Sequence, residues 1–318
     1  MTTNDHTVPQ MYLRRFAEQR RNRGHFTVAR PVEDPTKSFE SNVRNVGAVK
    51  GFHWAVDDRG REHHDAEKLF TRIETAATPV FSTLLDDADH ALPHRPLSRS
   101  DRRRLSWWIA AQLLRTTRQR KRFAHLAAAA DGAALPASAG VRSFAANNPH
   151  LQFVGELLEP VARMVHDRPW GFGFSDVCLL TGDVPAVILN GHDHRDQIAS
   201  AAHWDILLPL DPHRFLFLPG PGMLDDPAKR LDHRLHLPGC MSLFLSDAIF
   251  EAADRQIFRH PHHDPLRHKQ LELAARLPTP WTDGRDREGP GYVLEYPVMP
   301  RGFTIERRWT REHPPDRE

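Results

Sequence analysis

The spacing of hydrophobic positions changes twice along the 318-residue chain. Near the N-terminus, His25–Arg30 alternates like a strand and Lys37–Ser41 follows as a second strand, so residues 25–57 predict a small antiparallel β unit. Between about residues 65 and 168, apolar residues recur at three- and four-residue intervals, which indicates amphipathic helices. After about residue 170, short apolar runs return and again predict strands.

Three long helices are predicted in the middle of the chain. The first covers Leu69–Leu84, the second runs from Ser98 or Ser100 to about Arg122, and the third covers Leu151–Val165. The second helix is apolar on opposite faces, which predicts that it is buried on both sides.

The C-terminal half predicts four strands and a helix capped by Ser246, followed by one further strand over Tyr292–Val298. The four strands are expected at 177–181, 186–189, 205–210 and 214–218. The predicted fold class is therefore α+β, with a small N-terminal β unit, a helical insert, and a C-terminal antiparallel β segment with a flanking helix. We expect a single domain over residues 1–278, with the insert at about 65–168, and a peripheral extension over 279–318.

Composition narrows the cellular setting. The 43 Lys and Arg residues nearly balance 41 Asp and Glu, so nucleic-acid binding would need a local basic patch. The N-terminus has no apolar signal segment, and no apolar run approaches the roughly 18 residues of a membrane span. The two cysteines form no CxxC motif. These features predict a cytoplasmic protein with no membrane partner, and the arginine-rich, lysine-poor composition indicates a bacterial source.

The stretch from His6 to Phe16 is dense in polar and aromatic residues. Thr7 and Gln10 have the spacing of a capping box, so a helix is predicted over residues 7–20. Gln10 and Arg14 would share one face of that helix, with His6 near its positive end, and the three could hold a phosphate. Alternatively, Gln10 closes the cap, His6 bonds a carbonyl group and Arg14 pairs with a carboxylate.

Two further polar positions have a functional and a structural interpretation. Gln112 and Arg115 either line a polar pocket or fix the helical insert to a strand edge or loop. Asp183 follows an apolar run in a Thr-Gly-Asp-x-Pro turn. It either binds a metal or orients water at the end of a strand, or it bonds the backbone of its own turn.

One histidine motif offers a weak metal site. His192, His194 and Asp196 have the HxHxD spacing that begins the metallo-β-lactamase ligand motif, but Gln197 stands at the position of its final histidine. Residues 63–65 and 260–264 are interpreted as solvated turns rather than zinc ligands.

Nucleophile and nucleotide signatures do not add a candidate. Cys178 is predicted to be a core residue, and Cys240 has no adjacent base in the sequence. The chain contains no GxSxG, Walker or GxGxxG motif.

Six ordered motifs resemble one bacterial family, DUF4238, over residues 6 to about 258. They are His6–Phe16; Asn45–Gly47 with Gly51–His53; Ile73-Glu74; Trp108–Thr116; Leu180–Pro185; and Pro209–Pro212. The family's usual Thr-Ser-Asp-Asn-Pro is Thr181–Pro185 here, with Gly and Val at its second and fourth positions, and Ser246 stands where asparagine is usual. The resemblance implies a family but no activity.

The leading hypothesis is a hydrolase that acts on a phosphate-bearing substrate, such as a nuclease or phosphodiesterase in bacterial defence. His6 would be the general acid or base, Arg14 and Arg115 would stabilise the anionic transition state, and Asp183 would bind a divalent metal or orient water. Gln10 and Gln112 would contact the substrate, a small phosphate ligand or a nucleic acid. The alternatives are a non-catalytic binding or sensing module, which predicts an exposed apolar patch, and a small-molecule tailoring enzyme, which predicts a large apolar cavity.

Overall fold

The structure, a computed structural model, describes residues 4–34, 36–57, 59–86, 97–129, 148–175, 177–189, 205–220, 232–237, 239–265 and 304–309. The chain forms two compact units. Of the described residues, the first unit contains those in 4–11 and 47–167, and the second contains those in 12–46 and 168–309. The expected single domain over 1–278, with a peripheral extension over 279–318, stays a prediction.

Among the described residues, strands and helices follow one another in runs, with four consecutive helices in the middle of the chain. In chain order they are β1 (Asn4–His6), α1 (Gln10–Leu13), β2 (Glu18–Arg20), β3 (Gly24–Pro31), β4 (Phe39–Asn42), β5 (Ala48–Lys50), β6 (Ala55–Val56), β7 (Glu62–His63), α2 (Asp65–Leu85), α3 (Arg99–Leu114), α4 (Thr117–Ala129), α5 (Pro149–Asp167), β8 (Gly171–Ser175), β9 (Thr181–Gly182), β10 (Val187–Leu189), β11 (Asp205–Pro209), β12 (Arg214–Leu218), β13 (Asp232–Leu237), α6 (Gly239–Ala252), β14 (Gln256–Arg259) and β15 (Thr304–Trp309).

Helices dominate the first unit. Helix α3 packs against α2 and α5, and its Trp108 meets Phe81 of α2 edge to face with ring centroids 4.9 Å apart. The Arg102 side chain of α3 donates to the carbonyl of His166 in α5 at 3.0 Å. Ser98 caps α3 by accepting the backbone N–H of Asp101, as predicted. Two antiparallel pairs, β1 with β5 and β6 with β7, complete the unit.

The second unit contains two sheets and helix α6. One contains β2, β3, β14 and β9 in that order, with β4 also paired to β3; the other has the order β10, β11, β12, β8, β13 and β15. All pairs are antiparallel except β13 with β8. Gly173 of β8 lies directly against the ring of Phe215, where an added Cβ would be 1.9 Å from a ring carbon, so the approach of these strands requires glycine.

The α+β prediction is confirmed, with helices and antiparallel sheets in the expected order. The strands expected near 25–30, 37–41, 186–189, 205–210 and 214–218 are present, and so are the first and third long helices. Across the described residues, no helix combines the length and the apolar character that crossing a lipid bilayer would require.

Several local predictions were wrong for identifiable reasons. The N-terminal helix covers only Gln10–Leu13, because β1 pairs with β5 and the backbone N–H and hydroxyl of Thr7 both donate to the carbonyl of Gly47, at 2.9 and 3.1 Å, instead of capping a helix. A short 3-10 helix, Arg14–Phe16, follows it.

Three further corrections concern the middle and C-terminal regions. The second long helix is interrupted at Arg115 and Thr116, where the Thr116 hydroxyl accepts the backbone N–H of Gln119 and starts α4. Ser246 is buried inside α6 rather than at its start. Of the strand expected over 177–181, only Thr181 is in a strand. The strand expected over 292–298 lies outside the described residues.

Candidate functional site

The N-terminal strand of the first unit places Asp5 beside a loop that carries His53. In the β1–β5 pair, Asp5 is opposite Val49 and His6 is opposite Ala48. The carboxylate of Asp5 accepts the backbone N–H of His53 at 2.8 Å. Gly51, two residues before His53, has a φ of 64°, which favours glycine and turns the chain there.

Helix α2 supplies the third member of this group, Glu67, in its first turn. Its carboxylate contacts Nδ1 of His53, whose side chain is only 2% exposed, whereas Glu67 is 46% exposed. One donor atom from each of Asp5, His53 and Glu67 lies within 4.8 Å of the others. We call these three residues the carboxylate–histidine cluster. Two carboxylates and an imidazole suit a divalent cation such as Mn²⁺.

The electrostatic surroundings keep Glu67 ionised. The hydrogen bond from His53 is the main cause of its lowered pKa, and the charges of His53, Arg115 and His6 act in the same direction, while burial opposes them. Two residues predicted from the sequence to be catalytic, His6 and Arg115, thus both act to lower the pKa of Glu67.

Arg115 is positioned by the break between α3 and α4. Its side chain is 1% exposed, and one terminal nitrogen lies 2.6 Å from a carboxylate oxygen of Glu74 in α2. The guanidinium carbon stands 4.7 Å from the centroid of the Phe70 ring, a cation–π contact. Its Nε has no hydrogen-bond partner among the described residues. The ion pair and the ring therefore fix the guanidinium while leaving part of its donor capacity unused.

Gln112 lies one turn before Arg115 on α3. It is 1% exposed, and neither its amide nitrogen nor its amide oxygen has a hydrogen-bond partner in the part of the chain that the structure describes. A buried amide in this condition costs about 1–3 kcal/mol unless water or a ligand satisfies it. Both sequence interpretations of Gln112, pocket lining and fixation of the insert, stay predictions.

The loop that carries His53 is held by Arg120 of α4 and by Asn148, the residue before α5. Arg120 donates to the carbonyl of Phe52 at 2.8 Å, and Asn148 donates to the carbonyl of Trp54 at 3.0 Å. Nearby, His150 bonds the carbonyl of Leu114 at 2.9 Å, and burial lowers the pKa of His150 to about 4. His150 is therefore neutral at physiological pH, and it uses its Nε2–H to donate to that carbonyl.

A basic groove lies between α2, α3 and α5 of the same unit. It has a volume of about 860 Å³ and is lined by Trp107, two carboxylates and five arginines: Arg72, Arg99, Arg103, Arg104 and Arg163. Arg104 and Arg163 pair with Asp101 and Glu159, whereas the other three arginines are exposed and make no ion pair with a described residue. This is the kind of local positive patch that the near-neutral composition requires for binding to a polyanion.

The other predicted residues are distributed between the two units. In the first unit, Gln10 is half-buried at the start of α1. In the second, Arg14 is exposed, and its charge adds to burial in lowering the pKa of His25. His192, His194 and Asp196, the weak metal candidates, lie outside the described residues.

Asp183 belongs to the second unit and is bonded to backbone on both carboxylate oxygens. They accept the N–H groups of Asp254 and Arg255 at 2.9 and 2.8 Å, between α6 and β14. Burial raises the pKa of Asp183 to about 6, and the charge of Asp254 adds to that effect. These two hydrogen bonds explain why Asp183 can be buried in a purely structural role. Its assignment as a catalytic residue stays a prediction.

Sequence reasoning overlooked Asp5, His53, Glu67 and Glu74 as site residues. His53 and Glu74 are within motifs that carry the family resemblance, but residues 5, 53, 67 and 115 are far apart in sequence. No short motif connects them, so only their meeting in space identifies the cluster.

Comparison with known proteins defines the class of this chain and no more. The model of the family described as a protein of unknown function, DUF4238, matches residues 4–263. The chain therefore belongs to the DUF4238 family. No curated protein matches it, and no solved structure does.

Proposed function

We propose that the protein is a hydrolase of phosphate-bearing substrates whose chemistry takes place at the carboxylate–histidine cluster. The observation that carries the proposal is the arrangement around Glu67: a half-exposed carboxylate in contact with His53, close to Asp5, and within the electrostatic influence of Arg115 and His6. Metal ligands beside cationic groups suit the hydrolysis of a phosphate ester, and Glu67 is the member of this set that is partly exposed to solvent.

Each residue has a role that follows from its position. Asp5, His53 and Glu67 would hold a divalent cation, which lowers the pKa of a bound water and polarises a phosphoryl oxygen. Arg115, fixed by Glu74 and Phe70, would stabilise negative charge on the transferring group. His6 would supply or accept the proton. Arg14 and Asp183 are not assigned a role in this proposal.

The basic groove supports a polyanionic substrate such as a nucleic acid. Three arginines that make no ion pair with any described carboxylate can neutralise successive phosphates, and Trp107 offers a surface on which a base can stack. The alternative of a binding module predicts an exposed apolar patch. Phe39 is the one large hydrophobic side chain exposed among the described residues, which favours the enzyme.

The test is a hydrolysis assay of the full chain with Mg²⁺, Mn²⁺ or Zn²⁺, on bis(4-nitrophenyl) phosphate and on labelled single-stranded DNA and RNA. We expect metal-dependent cleavage that Glu67→Gln abolishes and Glu62→Gln, an exposed carboxylate on β7, leaves intact. Folded protein that cleaves none of these substrates, or a Glu67→Gln variant as active as the wild type, would overturn the proposal. Retained binding to the oligonucleotides without cleavage would instead identify a binding module.

A further inference from the structure

A second group of metal-ligating side chains lies in the second unit, where the sequence predicted a core cysteine and a solvated histidine turn. Cys178 is located between β8 and β9, His213 between β11 and β12, and His263 after β14. The Cys178 sulfur is 2.8 Å from Nδ1 of His263 and 3.8 Å from Nε2 of His213. All three side chains are half-buried, so Cys178 is not the enclosed core residue that its sequence context predicted.

The ring of His213 is oriented by its own neighbours. Its Nδ1 lies 3.1 Å from the carbonyl oxygen of Ser175, and a carbonyl only accepts, so Nδ1 carries the proton. The lone pair is then on Nε2, which faces the sulfur. Phe174 stacks on the ring with an interplanar angle of 14°, and the backbone N–H of His213 donates to Asp211 at 2.8 Å. A metal-binding histidine is commonly held in this way through its other nitrogen.

His263 is held by the turn that follows β14. Its backbone N–H donates to the carbonyl of His260 at 3.0 Å, and its ring meets that of His213 edge to face with centroids 5.3 Å apart. Two imidazole rings therefore converge on one sulfur from different loops. A catalytic Cys–His pair needs only one imidazole as its base, whereas two imidazole nitrogens near the same sulfur supply the three donor atoms from which a metal site is built.

The donor set selects the metal. One thiolate with two imidazoles suits zinc, and three protein ligands leave a fourth position for water or another group. In a tetrahedral zinc site the sulfur and nitrogen ligands stand about 3.5 Å apart, a value between the two sulfur–nitrogen distances seen here. The half-exposure of all three side chains leaves that fourth position reachable from solvent.

We propose that Cys178, His213 and His263 bind one Zn²⁺ ion with an open fourth position. This site is separate from the carboxylate–histidine cluster and does not depend on the hydrolase proposal. Its ligands differ from those of that cluster by the thiolate, which gives the two sites different spectroscopic signatures.

The test uses the full chain, with metal content measured after expression in zinc-supplemented medium and again after exchange with Co²⁺. We expect one more zinc per chain in the wild type than in Cys178→Ser. The cobalt-substituted wild type should show a thiolate-to-cobalt charge-transfer band, which Cys178→Ser loses. The His213→Asn and His263→Asn variants should bind Co²⁺ with an affinity at least tenfold lower, measured by titration of that band.

Matched controls separate this site from its surroundings. Cys240→Ser replaces the only other cysteine, and His262→Asn replaces the exposed neighbouring histidine that pairs with Glu18; both must keep the band. Glu67→Gln must also keep the band, because a change in the carboxylate–histidine cluster does not alter the Cys178 thiolate. Circular dichroism checks that each variant is folded. A folded wild-type protein without the cobalt band, or a band that persists in Cys178→Ser, would overturn the proposal.

Discussion

Glu67 and Asp183 are two acidic residues with opposite surroundings. Glu67 lies in the first unit at the start of a helix, half-exposed, and is stabilised as an anion by His53, Arg115 and His6. Asp183 lies in the second unit, buried, with both oxygens bonded to backbone N–H groups and a pKa raised by desolvation. Glu67 is partly exposed and charged, as a residue must be if it is to bind a cation that contacts an anionic substrate. Asp183 joins two segments of chain.

The largest expected difference is catalytic. Replacing Glu67 by Gln removes one ligand charge of the carboxylate–histidine cluster, so we expect the rate of phosphodiester hydrolysis to fall about 100-fold or more while the fold is kept. Steady-state rates with Mn²⁺ measure it. Asp183→Asn is the matched comparison, because an equal loss of activity in a folded Asp183→Asn protein would restore Asp183 to the active site.

The two carboxylates should change the folding stability in opposite directions as the pH rises. The folded pKa of Asp183 is raised from 3.8 to about 6, so its protonated form favours the folded state below pH 4 and that stability is lost as the pH rises through 6. A difference of that size corresponds to about 3 kcal/mol. Urea unfolding at pH 4 and pH 7.5 should show Asp183→Asn gaining roughly that amount relative to the wild type as the pH rises.

Glu67→Gln should behave in the opposite way and to a smaller extent. The folded pKa of Glu67 is lowered, so its stability is present above the unfolded pKa and is lost as the pH falls through the folded pKa. Because the side chain is half-exposed, solvent screening reduces the effect. The same sign for both variants would show that their electrostatic surroundings are alike.

Replacing Arg115 by lysine tests whether this position needs the planar guanidinium group or only a positive charge. Lysine keeps the charge but cannot reproduce the planar guanidinium over Phe70 while bonding Glu74, so we expect Arg115→Lys to lose about 1–2 kcal/mol of stability. Thermal unfolding measures this loss. Arg118→Lys, a half-buried arginine on α4, provides the control.

The smallest expected effect concerns the basic groove. Each of Arg99→Gln and Arg103→Gln should weaken binding of single-stranded DNA a few-fold and lower the salt dependence of binding by about one counterion. Fluorescence anisotropy at several salt concentrations measures both quantities. Arg44→Gln, on an exposed arginine of the second unit, should change neither, and an equal effect there would locate the binding surface outside the groove.

Local patterns predicted the longer elements well. The helices near 65–85, 99–114 and 149–167 and the strands near 205–218 follow directly from apolar spacing, since each element buries one face or the whole of a short run. The N-terminal helix was predicted too long, because the capping pattern at Thr7 carries no information about its pairing with Gly47, forty residues later. The break at Arg115 was likewise hidden within an apolar helical pattern.

The catalytic and substrate-binding residues chosen from the sequence stay predictions. His6 and Arg115 were chosen because their residue types suit anion chemistry, and both influence Glu67. Asp5 and Glu67 carried no signal in the sequence, and the motif that contains His53 indicated the family rather than a metal ligand. Cys178 and His263 were assigned to a core strand and a solvated turn, and the contact between them joins residues 85 positions apart.

The sequence by itself determined the class of fold, the family, and the absence of nucleotide-loop and nucleophile-elbow motifs, because these depend on residue order and on short-range periodicity. Only the tertiary structure decided which polar side chains meet. Donor atoms must lie within a few ångströms to share a cation or a proton, and that proximity arises from loop closure and strand pairing between distant segments. For this chain, it brings a half-exposed Glu67 to His53 and two imidazoles to one sulfur.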